Sequence, residues 1–245
     1  MTTIIRITLI LFLSLFLGAC HFDFNNREIS GNGNVEDRDL NISGSFDAVR
    51  ASEGWEVILK KGNENSVSAS LDSNLYEHLD VHIDGSRLKI DTEDDTQIGR
   101  ATSKKIYVTF SDHLSELKAS SAATITSEST LEGERLSLDV SSAGTINTEV
   151  AVRSVDTDAS SAGTINVKGI TERFAGDASS AGKINASGLK SENAKADVSS
   201  AGYVGIFASK SIHADASSAG NVEYWGNPES VNAQESSSGG SINKK

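Results

Sequence analysis

The chain has 245 residues and a formal net charge of −12, with 37% hydrophobic but only 6% aromatic residues. So acidic a balance repels phosphate backbones, and we expect no nucleic-acid partner. Proline occurs once, which argues against a proline-rich disordered chain.

The first 20 residues, MTTIIRITLILFLSLFLGAC, have the pattern of an export signal. Arg6 precedes an apolar run shorter than the about 20 residues that a membrane-spanning helix needs. The LGAC segment ending at Cys20 resembles the bacterial lipobox, in which the chain is cut before the cysteine and the cysteine is acylated. We therefore predict that residues 1–19 are a lipoprotein signal peptide and that Cys20 is the lipidation site. An ordinary secretory signal with a chance cysteine is the alternative.

The residues around Cys20 predict location and tethering. Cys20 is the only cysteine, so no disulfide is expected. Several acyl chains on one residue anchor stably, which makes the membrane a predicted partner. His21 stands where an aspartate retains lipoproteins at the inner membrane of enteric bacteria, so we expect an outer-membrane lipoprotein, on either leaflet. Residues 20–34 are polar and rich in glycine and asparagine, which predicts a flexible tether.

Residues 35–118 are rich in predicted β-strands but irregular. The stretch VHIDGSRLKI alternates apolar and polar residues on both sides of Asp84-Gly85, the pattern of a β-hairpin. The stretch SNLYEHL, residues 73–79, indicates a short helical turn. We expect this half to form the first, irregular coils and the cap of one domain that covers residues 35–245.

Residues 119–245 contain an internal repeat. Serine pairs, most often in the form Ser-Ser-Ala-Gly, recur every 18–21 residues and begin at Ser120, Ser141, Ser160, Ser179, Ser199, Ser217 and Ser237. A flexible linker has no reason to keep such a period, and helical repeats need about 30 residues or more. Seven equivalent pairs also argue against a catalytic serine, which works singly with a histidine base. We expect a tight corner in which glycine supplies unusual backbone angles and serine hydroxyls pair in ladders.

Equivalent positions of the repeats carry similar residues. The fifth position after each pair begins is β-branched: Ile125, Ile146, Ile165, Ile184, Val204, Val222 and Ile242. The position before each pair is alanine or valine except at Ser236, and a third apolar column is broken by Asn232. Alternation with polar residues indicates half-buried strands that stack at about 4.8 Å around a thin core. We predict an all-β fold, a single-stranded parallel β-helix (β-solenoid) with right-handed winding and about 18–21 residues per coil.

An acidic column precedes the serine pairs by two residues and consists of Asp139, Asp158, Asp177, Asp197, Asp215 and Glu235. Alternation from the apolar column points these side chains outward. Stacked carboxylates about 5 Å apart repel by roughly 1 kcal/mol per pair in water, so hydrogen bonds, lysines or a cation must offset the repulsion. The spacing fits no EF-hand or nonapeptide calcium motif. We expect a solvated ladder without metal, and an ordered calcium stripe is the alternative.

Aromatic residues concentrate near the C-terminal coils, at Tyr203, Phe207, Tyr224 and Trp225. We predict that they close the end of the core. The alternative is a stacking platform for sugars that includes Tyr224 and Trp225.

Two further groups contain residue types that can bind metals. His78 and His82 have helical i, i+4 spacing but lack a third ligand. The acidic run of residues 91–95 is typical of a solvated loop, and weak cation binding is the alternative. We predict no metal and no cofactor.

Several motifs in order carry a family resemblance: the Gly31-Asn32-Gly33-Asn34 lead-in, Arg38, GSFDAVRASEG at residues 44–54, GSRLKI at residues 85–90 and the repeated Gly-x-Ile-Asn. Residues 30–245 thereby resemble the bacterial family described as "putative auto-transporter adhesin, head GIN domain", a domain of unknown function common in Bacteroidetes lipoproteins. The resemblance implies a β-helical fold on the cell envelope and adhesion, and it supplies no catalytic residues.

We therefore expect a non-enzymatic, lipid-anchored envelope protein whose β-helix presents a binding surface to envelope proteins or glycans. One alternative is a polysaccharide-acting β-helix enzyme, which would need loop insertions that a period of 18–21 residues leaves little room for. The other is a purely structural envelope component.

Overall fold

A computed structural model describes residues 27–42, 44–236 and 238–245. The predicted signal peptide and Cys20 lie outside these residues. Nearly all of the described chain is β-structure, with 65% of residues in strands and 3% in helix. Within the described ranges, no helix is long and apolar enough to cross a membrane.

The described residues 27–42 and 44–115 contain nine strands and one 3₁₀ helix, Ser73–His78, at the predicted helical turn. The strands are β1 (Arg27–Ile29), β2 (Val35–Leu40), β3 (Ala48–Ala51), β4 (Glu56–Lys61), β5 (Ser66–Asp72), β6 (Leu79–Asp84), β7 (Arg87–Thr92), β8 (Thr96–Ile98) and β9 (Lys104–Phe110).

Ten strands follow in the described residues 116–236 and 238–245. They are β10 (Glu116–Ala119), β11 (Thr124–Ser127), β12 (Leu131–Val140), β13 (Thr145–Ala159), β14 (Thr164–Ala178), β15 (Lys183–Val198), β16 (Tyr203–Ala216), β17 (Asn221–Trp225), β18 (Ser230–Glu235) and β19 (Ser241–Lys244).

The predicted β-solenoid is confirmed and has about 7 turns. Successive coils pair in parallel and in register, so that Ile146, Ile165 and Ile184 stack on one another. All three side chains are fully buried. Because each coil is only one strand thick, its apolar residues are covered by the coils on either side, which is why the repeat must keep its period.

Each Ser-Ser-Ala-Gly corner is a tight turn closed by one backbone hydrogen bond. The amide of Gly202 donates to the carbonyl of Ser199 across 2.8 Å. The two residues between them, Ser200 and Ala201, have φ values of 50° and 59°, as in a type I′ turn. The expectation that glycine supplies the unusual angles is therefore wrong. Glycine is needed because a Cβ at Gly202 would lie 2.5 Å from the carbonyl oxygen of Ala178 in the preceding coil.

Main-chain groups form a continuous ladder along this corner. The amide of Ala143 donates to the carbonyl of Ser161 in the next coil across 3.0 Å, and Ala162 donates to Ser180 across 3.1 Å. The left-handed conformation turns these amides towards the next coil. The ladder that we expected from serine hydroxyls is thus formed by the backbone.

The N-terminal coils are stacked out of sequence order. Strand β10 pairs with β3, and β3 pairs with β7, so a later segment lies outside an earlier one. On the other side of the coil, β11 pairs with β4 and β4 with β9. The end is covered by the antiparallel pairs β9–β5, β5–β2 and the predicted hairpin β6–β7. The predicted irregular, β-rich N-terminal part is therefore confirmed, with a strand order that the sequence did not indicate.

The lead-in to the domain is fixed by a buried carboxylate. Asp72 is fully buried and accepts the amides of Gly33 and Thr102 across 2.6 Å each, and that of Ser103 across 3.2 Å. Strand β1 also pairs with β8. The part of the predicted tether that the structure describes, residues 27–34, is therefore docked on the domain.

The last coil differs in register from the sequence alignment. Val231 pairs with Ile212, and Glu235 pairs with Ala216. The corner that follows contains one residue more than the others, which displaces an alignment made on the serine pair. The assignments of Asn232, Ser236 and Glu235 to their columns are therefore wrong. Val231 continues the apolar column, and Glu235 occupies the core position at the open end.

Candidate binding faces

Five aspartates form an acidic stripe along one outer face of the solenoid: Asp139, Asp158, Asp177, Asp197 and Asp215. Each pairs in register with the next, and all lie at the surface, as predicted. The stripe ends at Gln234, which takes the sixth position in place of Glu235.

Basic residues continue the acidic stripe towards the cap. Asp139 pairs with Lys118, Lys118 with Arg50 and Arg50 with Lys89. The Nζ atom of Lys118 lies 2.8 Å from Asp139 and closes the acidic end. This change of sign lies in residues without the serine motif, so the repeat did not reveal it.

Burial and repulsion between neighbouring carboxylates disfavour the charged form in the middle of the acidic stripe. Burial and the charge of Asp139 raise the pKa of Asp158. Burial and the charge of Asp197 raise the pKa of Asp177. Lys195, two residues before Asp197 on β15, lies 2.6 Å from the Asp197 carboxylate and offsets part of the repulsion.

A shallow groove of about 410 Å³ lies between the acidic stripe and the first serines of the corners, including Ser179, Ser199 and Ser217. Carboxylate and hydroxyl oxygens line it. Among the described residues, no group of three or more histidine, cysteine, aspartate or glutamate side chains is arranged to hold a metal ion. The groove is open to solvent, and Ala178, Val198 and Ala216 also line it.

Asparagines form a second ladder beyond the corner. The side-chain amide of Asn166 donates to the amide oxygen of Asn147 across 2.8 Å, and Asn185 donates to Asn166 across 2.6 Å. These are the asparagines of the Gly-x-Ile-Asn motif. Sequence reasoning noted their recurrence without assigning this role, although identical amides stacked in register are the signal.

The C-terminal aromatic residues divide between core and surface. Tyr224 packs on the core. Tyr203, Phe207 and Trp225 are half-buried on the outer side of β16 and β17. We refer to these three as the aromatic face. It lies across the corner from the acidic stripe, because one set follows the serine turn and the other precedes it.

Among the described residues, the remaining groups of metal-ligating residue types do not form a metal site. His82 lies 2.9 Å from Asp80 on β6, whereas His78 ends the 3₁₀ helix 3.8 Å from Glu93. The acidic run of residues 91–95 leads from β7 to β8 and lines an open surface.

Comparison with known proteins identifies the family. The model of the family described as "putative auto-transporter adhesin, head GIN domain" matches residues 45–228. No curated protein matches the chain.

Solved structures share the fold. One is a protein from Bacteroides fragilis described as a "putative adhesin", 16% identical with a TM-score of 0.80. Two from Parabacteroides distasonis are described as a "putative adhesin", 16% identical with a TM-score of 0.71, and a "putative lipid binding protein", 20% identical with a TM-score of 0.66. Each match covers 89% of this chain and 100% of the other.

Proposed function

Since this chain belongs to the family described as "putative auto-transporter adhesin, head GIN domain", we propose that it is a lipid-anchored outer-membrane protein whose solenoid carries an adhesive side face. The observation that supports this most directly is the register of the coils. Outward columns such as the acidic stripe continue from coil to coil without interruption. Such a face presents the same chemistry repeatedly, which suits binding to a repetitive partner.

The docked lead-in orients the solenoid on the membrane. If Cys20 is acylated, six residues lie between it and Arg27, the first residue of β1, so seven residue-to-residue steps join the two. They span at most about 25 Å when fully extended. Strand β1 pairs with β8, beside the outermost coil of the cap. The cap therefore lies near the bilayer, and the coils around β16 to β19 stand farthest from it.

The proposed activity is binding without catalysis. Outside the corners, coils β13 to β16 are formed by strands of 14–16 residues. They leave no insertion long enough to wall a substrate cleft. The described faces are open grooves, whereas an enzyme needs a site that excludes water around its acid and base.

Protease treatment of intact cells tests the proposal. A chain displayed at the surface is digested before lysis, and deletion of its gene lowers adhesion of the cells. A Cys20→Ser variant is expected to leave the membrane fraction. Digestion only after lysis, or unchanged adhesion of the deletion strain, would overturn the adhesive role.

A further inference from the structure

The aromatic face is built around a residue without a side chain. Gly205 lies between Tyr203 and Phe207 on β16, and a Cβ added to it would lie 2.9 Å from the Tyr203 hydroxyl and 3.4 Å from the Trp225 ring. Glycine in a strand interior weakens the strand, and it often marks a close approach. Here its absence of a side chain lets two rings lie low over the sheet, which produces a broad, shallow aromatic surface.

Polar bonds hold this surface in place. The Tyr203 hydroxyl donates to Glu223 Oε2 across 3.0 Å, and Lys245 Nζ lies 2.8 Å from the other carboxylate oxygen. Burial and the bond to Glu223 raise the pKa of Tyr203 to about 12. Tyr203 therefore stays neutral, and the charge of Glu223 is offset by Lys245. These bonds fix the position of the Tyr203 ring, and the Glu223 carboxylate beside it is paired with a cation.

Two lysines stand beside the rings. Lys190 Nζ lies 4.0 Å from the centre of the Phe207 ring, and Lys183 Nζ lies 5.4 Å from that of Tyr203. Both side chains are exposed. Within the described part of the chain neither forms an ion pair, whereas Lys168 and Lys210 are bound to Glu149 and Glu192. A contact with a ring leaves the positive charge available to an anion.

These two lysines distinguish the aromatic face from the rest of the surface, because the chain as a whole has a net charge of −12. The acidic stripe repels anions from its own face, which lies across the serine corner from the aromatic face. The aromatic face instead combines apolar rings, two available cations and polar side chains such as Asn185 and Asn221. A ligand that fits has an apolar flat side, hydroxyl groups and widely spaced negative charges.

We propose that the aromatic face, formed by Tyr203, Phe207 and Trp225 with Lys183 and Lys190, binds an acidic polysaccharide. The C–H side of a sugar ring packs on Trp225 and Tyr203, because binding sites combine aromatic surfaces with a few placed polar groups. The sugar carboxylates lie against the two lysines. Nucleic acid fits less well, since one phosphate per nucleotide adds more charge than two lysines offset. This inference rests on the proposed adhesive function and names its ligand and site.

Binding of hyaluronan oligosaccharides to the full chain, purified in detergent, tests the site by calorimetry. Hyaluronan carries one carboxylate per disaccharide, and its carboxyl-reduced form is the matched neutral ligand. We expect binding to hyaluronan and at least tenfold weaker binding to the reduced form. Equal binding of both forms, no binding, or tighter binding of a thymidine oligonucleotide would overturn the proposal.

Paired lysine variants separate the site from net charge. The double variant Lys183→Gln/Lys190→Gln should weaken hyaluronan binding at least tenfold, whereas Lys168→Gln/Lys210→Gln, with the same change in charge, should leave it unchanged. An equal loss in both variants would reject the site. Trp225→Ala should also weaken binding, and Trp225→Phe should retain it, which distinguishes stacking from a loss of folding.

The two proposals fail in different ways. If deletion of the gene lowers cell adhesion but the purified chain does not bind hyaluronan, the ligand assignment alone is wrong. If the purified chain binds hyaluronan but protease reaches it only after lysis, surface adhesion alone is wrong.

Discussion

A Cβ atom added to Gly202 would lie 2.5 Å from the carbonyl oxygen of Ala178 in the preceding coil. Gly220 stands in the same relation to Val198, at 2.6 Å. Real Cβ atoms do not approach a carbonyl oxygen so closely, so the backbone would have to move. At these two corners the glycine therefore packs directly against the backbone of the preceding coil.

The first prediction concerns this contact. Gly202→Ala should lower the free energy of unfolding by about 3 kcal/mol, because an added methyl in a tightly packed place displaces the backbone. Urea-induced unfolding measures the loss. Ala201→Gly, one residue earlier, should change stability little, since relief of its positive φ of 59° is offset by the greater freedom of glycine in the unfolded chain. Equal losses in the two variants would show that the corner is governed by backbone angles.

The repeat half was predictable because one residue pattern fixes it several times. The stacked Ile146, Ile165 and Ile184 appear in the sequence at a constant offset from the serines. The last coil was misaligned, since a single additional residue in a corner cannot be distinguished from a shifted serine pair by spacing alone.

The order of the N-terminal coils was beyond sequence reasoning. Strand β9 lies between β4 and β5, although β4 and β5 are consecutive in the chain. Both pairings satisfy the same alternation of apolar residues, so periodicity does not choose between them. The aromatic face had a similar ambiguity. Tyr224 and Trp225 are neighbours in sequence, and alternation within a strand sends one inward and the other outward.

The second prediction follows from the acidic stripe. The pKa of Asp177 is raised by burial and by Asp197, so the folded chain binds this proton more readily than the unfolded chain. Its contribution to stability is therefore lost as pH rises from 3.8 through the raised pKa. Asp177→Asn should stabilise the fold by about 0.5–1 kcal/mol at pH 7, after allowance for solvent screening. Urea unfolding at pH 7 and below pH 3.8 measures the effect, which should vanish in acid.

Asp139→Asn is the matched control for the acidic stripe. Asp139 lies 2.8 Å from Lys118, so its removal leaves a cation without its partner and should give no gain. Added salt should reduce the gain from Asp177→Asn because it screens exposed charges. A gain from both variants would mean that net charge, not the stacking, is responsible.

The third prediction concerns the buried carboxylate of the lead-in. Burial alone would raise the pKa of Asp72, but the amides of Ser103, Thr102 and Gly33 together hold it below its usual value. This stability is present above pH 3.8 and is lost as pH falls through the depressed pKa. Asp72→Asn should cost about 2–3 kcal/mol at pH 7, since a charged acceptor of backbone amides is removed.

Two measurements check the role of Asp72. Urea unfolding gives the loss in stability, and limited proteolysis should cut residues 27–34 faster in Asp72→Asn than in the parent chain. Asp39→Asn, at an exposed position of β2, is the control and should change neither. A lead-in that stays protected in Asp72→Asn would show that the β1–β8 pairing alone holds it.

The fourth prediction concerns the asparagine ladder. Asn166 donates to Asn147 and accepts from Asn185, so Asn166→Ala breaks two hydrogen bonds. The expected cost is about 1–2 kcal/mol by urea unfolding, at about 1 kcal/mol per bond. Asn243→Ala removes the asparagine of the last Gly-x-Ile-Asn, which is exposed, and should cost less than half as much. Equal costs would mean that the ladder adds nothing beyond each residue's own strand preference.

The last prediction concerns the open end of the solenoid. Glu235 pairs with the core residue Ala216, and its Oε1 accepts the amide of Ile242 across 2.6 Å. The carboxylate therefore covers an edge amide and places a charge over the last coil, a means by which natural sheets avoid pairing with further strands. Glu235→Val should make the chain associate end to end, measured as a larger sedimentation coefficient at high protein concentration. Gln234→Val adds the same side chain on the outer face and should leave the chain monodisperse. Association of both variants would indicate nonspecific hydrophobic association rather than an uncovered edge.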